Sequence, residues 1–243
     1  MTKVRTPGAV MSLYRLMLTT QVTKARVIGL SALGLVSVFV GFAIGHAHLV
    51  DPVRQGTRFI NGFGLSLLVP VATLVFASAS LGDPNEDGTL VYLWLRPVAR
   101  AKIVAAAALA SFTVTWPIVT IPLVICAALT GGGRTLIVGT VAAVTVSMVA
   151  YVGVFVALGL RVKRALVWGL LYIFVWEGFV ATGNNTAARL AVRTYARSVL
   201  SHITGETFRV TEIASPWTWL VPALVALGAL AYATRRLSRQ DVT

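Results

Sequence analysis

The chain has 243 residues, of which 57% are hydrophobic and 12% are charged, and its mean hydropathy is +0.82. Soluble domains carry about 25% charged residues, so the composition excludes an ordinary water-soluble domain. The net charge of +13 would favour nucleic-acid binding in a soluble protein. Basic residues that flank long apolar segments are instead typical of loops that meet anionic lipid, so we expect membrane lipid as a partner and no nucleic acid.

The long apolar segments predict an all-α integral membrane fold. A helix needs about 20 apolar residues to cross a bilayer, and these segments lack the alternation of a membrane β-strand. The first begins only near Val27, so we expect no cleaved signal peptide. Residues 1–243 are predicted to form one transmembrane permease domain with six spans, at about 27–45, 63–79, 103–129, 136–160, 165–181 and 217–234.

Two segments outside the spans have the periodicity of amphipathic helices. Residues 10–26 place Leu13 and Met17 on one face, which predicts a helix in the membrane interface before the first span. Residues 187–203 predict a second such helix before the last span. This second helix carries three arginines four residues apart. They could attract an anionic substrate or lipid head groups, and a solvated helix face is the favoured interpretation. They are Arg189, Arg193 and Arg197.

The distribution of basic residues predicts the orientation. With the N-terminus inside, fourteen of the 21 Lys and Arg residues lie on the inner side and seven on the outer side. Cytoplasmic loops carry the excess of Lys and Arg. We therefore expect both termini in the cytoplasm, together with the loop between the second and third spans.

This loop, residues 83–100, is unusually polar and patterned. Asp83 is predicted to cap a helix that begins at Pro84, with Glu86 completing a capping box. An apolar body follows, and Arg96 and Pro97 end it. The physics alone leaves two interpretations open: a helix that anchors in lipid through Tyr92 and Trp94, or a helix that docks on a protein. The acidic residues favour docking, because an anionic leaflet repels carboxylates.

The loop resembles the first cytoplasmic loop of type-2 ATP-binding-cassette (ABC-2) permeases. In that family a segment similar to E-x-G-T-L-x-x-L-L-x-x-P-V-S-R lies between the second and third spans and forms a coupling helix on the ATPase subunit. The six spans, the helix before them and the long last outer loop are also similar. Ala99 departs from the usual serine. The matching residues are Glu86, Asp87, Gly88, Thr89, Leu90, Leu93, Leu95, Arg96, Pro97, Val98 and Arg100.

The resemblance implies the membrane subunit of an exporter in the plasma membrane of a bacterium. Two separate cytoplasmic ATPase subunits would bind ATP and Mg, and a second copy or a related permease would complete the complex. This chain has no GxxxxGK[ST] motif, so we expect it to hold no cofactor and to be no enzyme itself. The expected ATPase-docking residues are Asp83, Glu86, Asp87, Gly88, Thr89, Leu90, Leu93 and Arg96.

Other candidate sites are weaker. Glu177 is the only carboxylate within a predicted span, which is costly in a bilayer. It is expected either in a dimer interface or translocation path, or in a structural hydrogen bond to another span. His46, His48 and Asp51 resemble metal ligands, but an interfacial polar turn is the favoured interpretation, and Cys126 allows no intrachain disulfide. We therefore predict no catalytic residue and no metal site.

Two alternative functions remain open from the sequence. A lipid-modifying integral-membrane enzyme would need carboxylates or histidines clustered at one membrane depth, and the predicted spans contain only Glu177. A passive channel or an assembly scaffold would not need an acidic docking helix.

Overall fold

The computed structural model describes residues 7–47, 51–88, 99–208 and 212–239, with side chains from residue 11 onward. All regular structure in these ranges is helical. In chain order the helices are α1 (Pro7–Gln21), α2 (Lys24–His46), α3 (Pro52–Glu86), α4 (Arg100–Leu129), α5 (Gly133–Arg161), α6 (Ala165–Gly183), α7 (Asn185–Ala188), α8 (Val192–Thr204) and α9 (Ser215–Arg239).

Six of these helices are long and apolar enough to cross a membrane: α2, α3, α4, α5, α6 and α9. The prediction of an all-α integral membrane fold with six spans is therefore confirmed. Successive spans run in opposite directions and define two ends of the bundle. We call the end with Lys24, Glu86, Arg100, Arg161 and Arg239 the near side. The opposite end, with His46, Pro52 and α8, is the far side.

The second span is longer than predicted and corrects one expectation. Helix α3 continues unbroken through Asp83 to Glu86, so Asp83 lies in its last turn and does not cap a new helix that starts at Pro84. The helix continues because Leu81 and Gly82 are fully buried. A Cβ at Gly82 would lie 3.3 Å from the Cα of Gly159 in α5, which shows how closely the two backbones approach.

Helix α5 forms the centre of the bundle, since α3, α4, α8 and α9 all pack on it. Glycines allow the backbones to approach one another. A Cβ on Gly159 would collide with the carbonyl oxygen of Ser78 in α3. A Cβ on Gly153 would lie 2.7 Å from the Cα of Ala226 in α9. Small residues at helix contacts are the usual means of close packing in lipid.

The first span packs on the third in the same way. Gly34, Gly41 and Gly45 of α2 face Pro122, Cys126 and the Leu129 carbonyl of α4. The preceding helix α1 also packs on α4. Leu13 and Met17 are buried there, so the predicted apolar face of α1 is confirmed for these residues, although it covers protein. Val22 and Thr23 separate α1 from α2, so the amphipathic helix ends before residue 26.

Two spans contain π-helical segments. In α3 the segment is Ile60–Leu68, and in α6 it is Tyr172–Val180. Pro70 provides a physical reason for the first, because it has no N–H and its ring crowds the preceding turn. The Val69 N–H correspondingly bonds to the Gly64 carbonyl, five residues back. The two π segments contact one another, and both lie toward the far side.

Candidate functional site

The near-side end of α3 is held to α2 by an ion pair. Arg26 Nη2 lies 2.7 Å from Asp83 Oδ2. The Asp83 side chain is 53% exposed and that of Arg26 is 25% exposed. The pair therefore fixes the position of the helix end more than it stabilises the fold, because exposed ion pairs contribute little free energy.

A second contact joins the end of α3 to the turn between α5 and α6. Glu86 Oε1 accepts a hydrogen bond of 2.6 Å from the backbone N–H of Arg164. Arg164 has the left-handed conformation, with φ of 58°. Glu86 thus has a partner within the chain, which sequence reasoning did not anticipate. The N–H of Arg164 comes from a turn that also carries Arg161 and Lys163.

The remaining docking residues fall into two groups. Asp87 and Gly88 follow the end of α3 and are exposed, and Gly88 has a φ of 68°. The Asp87 side chain has no hydrogen bond or ion pair within the described residues. Thr89, Leu90, Leu93 and Arg96 lie outside the described residues, together with the predicted helix that contains them.

The charge at this position is unusual for a helix end. Asp83, Glu86 and Asp87 lie at the C-terminus of α3, where the helix dipole is negative and favours cations. Their contacts with Arg26 and with the Arg164 N–H compensate part of this repulsion. Asp87 remains available to a basic group outside the described part of the chain.

Helix α4 extends well past the level of α1. Gln21 Oε1 accepts a hydrogen bond from Ser111 Oγ at 3.1 Å, and Tyr14 Oη donates to Thr113 Oγ1 at 3.1 Å. Arg100 lies about 16 Å further along the helix axis, at 1.5 Å per residue. The loop that joins α3 to α4 starts and ends on the near side, where Glu86 lies against the turn between α5 and α6.

Glu177, in the half of α6 toward the far side, is the centre of a buried hydrogen-bond network inside the bundle. The residue is 3% exposed. Its Oε2 accepts a hydrogen bond from Tyr151 Oη of α5. Its Oε1 accepts from Tyr172 Oη at 3.0 Å and from the backbone N–H of Val192 at 3.1 Å. The structure thus contains a hydrogen bond between Glu177 and another span, which is one of the two alternatives that the sequence left open.

The π segment of α6 provides the register that this network requires. Tyr172 and Glu177 are five residues apart, which places them on one face of a π-helix but on different faces of an α-helix. Glu177 also replaces a missing cap. Ala191 precedes α8 and has no side-chain acceptor, so the Glu177 carboxylate takes one of the free N–H groups at the positive end of that helix.

Two arginines continue the network along α8. Arg197 is 8% exposed, its Nε donates to Asn61 Oδ1 at 3.0 Å, and its guanidinium lies 5.8 Å from the Phe208 ring centroid. Burial lowers the pKa of Arg197 to about 10, so it stays charged at neutral pH. Burial also lowers the pKa of Arg193, and the attraction of the Glu177 carboxylate opposes this shift.

These contacts correct the interpretation of the arginine stripe. Only Arg189 is exposed; Arg193 is half-buried and Arg197 is buried, so the stripe is no solvated face. The reason is that α8 lies on the π segment of α3 and against α5 instead of on the outer surface. Three residues of this network were not predicted from the sequence: Asn61, Tyr151 and Tyr172. Two signals were available, namely the five-residue spacing from Tyr172 to Glu177 and the polar side chain of Asn61 next to a predicted span.

The candidate metal residues have other partners. Asp51 Oδ1 accepts a hydrogen bond from the Arg54 N–H at 3.0 Å and caps α3, and His46 Nδ1 lies 3.0 Å from the Phe42 carbonyl oxygen. His48 lies outside the described residues. No group of three His, Cys, Asp or Glu suited to a metal occurs among the described residues.

The fold and these sites define a multi-pass helical membrane protein with an acidic corner on one side and a buried polar network on the other. Comparison with models of protein families finds no match, and comparison with curated proteins finds none either.

Proposed function

We propose that this chain is the membrane-spanning subunit of an ABC-2 type transporter, working as an exporter. The observation that carries the proposal is the acidic end of the second span, which leads directly into the segment that resembles a coupling helix. In this proposal the near side faces the cytoplasm of a bacterial cell. Two ATPase subunits bind ATP and Mg and dock on residues 83–100, and a second permease copy or a related permease completes the path.

The contacts of the corner support a role in transmitting motion. Asp83 is joined to α2 through Arg26, and Glu86 is joined to the α5–α6 turn through Arg164. A partner that moves this corner therefore acts on four spans at once: α2, α3, α5 and α6. Asp87, which has no partner in the described part of the chain, is the carboxylate best placed to meet a basic group of the ATPase.

Helix α3 connects the corner to the far side. Asp83 and Asn61 lie on the same helix, about 33 Å apart at 1.5 Å per residue. Asn61 accepts a hydrogen bond from Arg197 of α8. In the proposed mechanism, ATP binding closes the ATPase dimer and shifts α3, and the shift reaches α8 through this contact and opens the outer end of the path between the permeases.

The test is copurification and ATP hydrolysis with a candidate ATPase subunit, chosen from the genes that neighbour this one. The permease alone is expected to hydrolyse no ATP, and the ATPase is expected to copurify with it. Asp87→Arg and Leu90→Asp should each release the ATPase or uncouple its hydrolysis from transport. Asp87→Arg tests docking more specifically than Glu86→Arg does. Glu86 also accepts a hydrogen bond from Arg164, so its replacement disturbs the permease itself.

Matched controls lie on the far side. Glu206→Arg reverses a charge, and Leu190→Asp changes a leucine that is 68% exposed; both should leave the ATPase bound. If the ATPase stays bound and coupled in Asp87→Arg, Glu86→Arg and Leu90→Asp alike, residues 83–100 are not its docking site and the proposal fails.

A further inference from the structure

The near-side end of α9 presents an arginine-rich face. Tyr232, Arg235, Arg236 and Arg239 have the spacing i, i+3, i+4 and i+7, which places them on one side of the helix. They line an open cleft of about 410 Å³. Arg235 and Arg239 are exposed, and Arg236 is half-buried.

A fourth arginine joins this face from a different span. Arg161 Nη1, at the end of α5, donates a 2.7 Å hydrogen bond to Tyr232 Oη, and its guanidinium lies 5.9 Å from the ring centroid. Arg236 Nε donates in return to the Leu160 carbonyl at 3.2 Å. These two contacts hold the α5 and α9 ends together, and they leave Arg235 and Arg239 directed at the cleft they line.

No carboxylate among the described residues pairs with these four arginines, since the ion pairs there are Arg26–Asp83 and Arg54–Glu206. Asp241 lies outside the described residues, and one carboxylate cannot neutralise four guanidinium groups. Arg235 and Arg239 are also four residues apart on one helix, where like charges repel. The cleft thus has the electrostatics of an anion site.

The surroundings of the cleft indicate which anion. It lies at the end of a membrane span, and the same helix exposes Leu220, Leu224 and Leu227 by 52%, 60% and 64% toward the bilayer. Tyr232, at the boundary between this apolar surface and the arginines, is 40% exposed and suits a membrane interface. An acyl chain can lie along the leucines while its phosphate meets the arginines.

We propose that this cleft binds the phosphate head group of an anionic phospholipid. Arg235 and Arg239 contact the phosphate, Arg236 and Arg161 supply additional positive charge, and Tyr232 lies at the glycerol level. The inference does not depend on the ABC-2 proposal. It rests on the part of the proposed function that places the near side in the cytoplasm, since basic pockets between spans on that side bind anionic head groups.

The test is native mass spectrometry of the full chain in detergent, titrated with phosphatidylglycerol and, separately, with phosphatidylcholine. The wild-type chain should retain phosphatidylglycerol preferentially. The double variant Arg235→Gln/Arg239→Gln should weaken its retention about 25- to 30-fold, because about a fifth of the affinity remains for each arginine removed. Arg235→Lys/Arg239→Lys keeps the charge and should retain most of the binding, which separates a lost site from a misfolded protein.

The matched control is Arg15→Gln/Lys102→Gln, which removes two exposed cations from other helices and should leave retention unchanged. An equal loss in this control would mean that surface charge in general, not the cleft, attracts the lipid, and would overturn the proposal. It is also overturned if Arg235→Gln/Arg239→Gln binds normally or if phosphatidylcholine is retained equally. Displacement of the lipid by millimolar inorganic phosphate would show that the cleft binds a free anion, and would overturn the lipid proposal. Unchanged lipid retention together with an altered oligomeric state in Arg235→Gln/Arg239→Gln would show that the arginines contact another protein chain, and would overturn it too.

Discussion

The carboxylate of Glu177 accepts a hydrogen bond from the backbone N–H of Val192, the first residue of α8, at 3.1 Å. A side chain from a membrane span thus caps a helix outside the spans. The same carboxylate is bonded by Tyr151 and Tyr172, so it joins α5, α6 and α8. The burial of this acid is explained by three hydrogen bonds and needs no catalytic role.

Glu177→Gln should destabilise the protein by about 1–3 kcal/mol, because an amide group then faces hydroxyl or N–H donors inside a buried network. The measurement is thermal unfolding of the detergent-solubilised chain. Glu206→Gln, at an ion pair of 4.0 Å with a partner that is 53% exposed, is the control and should change stability by less than about 1 kcal/mol. An unchanged melting temperature for Glu177→Gln would mean that the charge of Glu177 adds nothing to the stability of the fold.

Full transport by Glu177→Gln would exclude a role for the charge in the proposed transport.

The bond between Asn61 and Arg197 can be measured by a double-mutant cycle. Asn61→Ala and Arg197→Met should each destabilise the chain, and the two effects should be less than additive by about 1.5–3 kcal/mol, as for a hydrogen bond to a charged group. The cycle of Asn61→Ala with the exposed Arg189→Met is the matched control. Additive effects in the first cycle would show that Arg197 does not depend on Asn61.

The glycine contacts predict opposite effects for two alanine substitutions. Gly153→Ala places a methyl group against the Ala226 backbone and should destabilise the bundle by about 1–3 kcal/mol. Gly228→Ala on α9 meets nothing within 4 Å and should be neutral or stabilise by up to about 1 kcal/mol through helix propensity. Equal melting temperatures for the two variants would contradict the close approach of α5 and α9.

Removing the ion pair between Arg26 and Asp83 should have little effect on stability and a clear effect on coupling. Asp83→Asn is expected to change the free energy of unfolding by less than about 1 kcal/mol, since both groups are partly exposed. In the proposed complex with an ATPase subunit, the same variant should lower transport per ATP hydrolysed. Unchanged coupling would restrict the ion pair to a structural role.

The orientation of the chain in the membrane can be determined by labelling single cysteines with a membrane-impermeant maleimide. Cys126 is buried, so the wild-type chain should stay unlabelled. In a Cys126→Ser background, Arg134→Cys on the far side should be labelled in intact cells. Ser238→Cys on the near side should be labelled only after permeabilisation. The reverse pattern would place the acidic corner outside the cell and contradict the ABC-2 proposal.

The spans were predictable because long apolar segments in a bilayer have few structural alternatives. The ends of the second span were not. The polar residues at 52–60 and at 83–86 suggested loops, but Asp51 caps the helix at one end and Arg26 pairs with Asp83 at the other. The cap depends on local backbone geometry, and the ion pair joins residues that are distant in the sequence. A hydropathy pattern predicts neither contact.

The far-side network was only partly predictable. Glu177 stood out because a carboxylate in a span requires partners. Arg197 was assigned to a solvated face, since the periodicity of α8 identifies its two faces but does not say what covers the polar one. The π segments were not predicted at all, because an α-helical period was assumed through Pro70 and Tyr172. The burial of Arg197 depends on the first of these segments, through Asn61.

The length of α3 has a mechanical consequence. From Pro52 to Glu86 it measures about 52 Å at 1.5 Å per residue, against about 30 Å for the bilayer core. If it turns as one body, a tilt of only about 5° moves one end by about 4 to 5 Å relative to the other. Asn61 lies about 38 Å from Glu86, so the same tilt displaces it by about 3 Å, which exceeds the tolerance of its 3.0 Å bond to Arg197. Because α3 is so long, a small tilt at its acidic end is enough to break or form the contact between Asn61 and Arg197 near its other end.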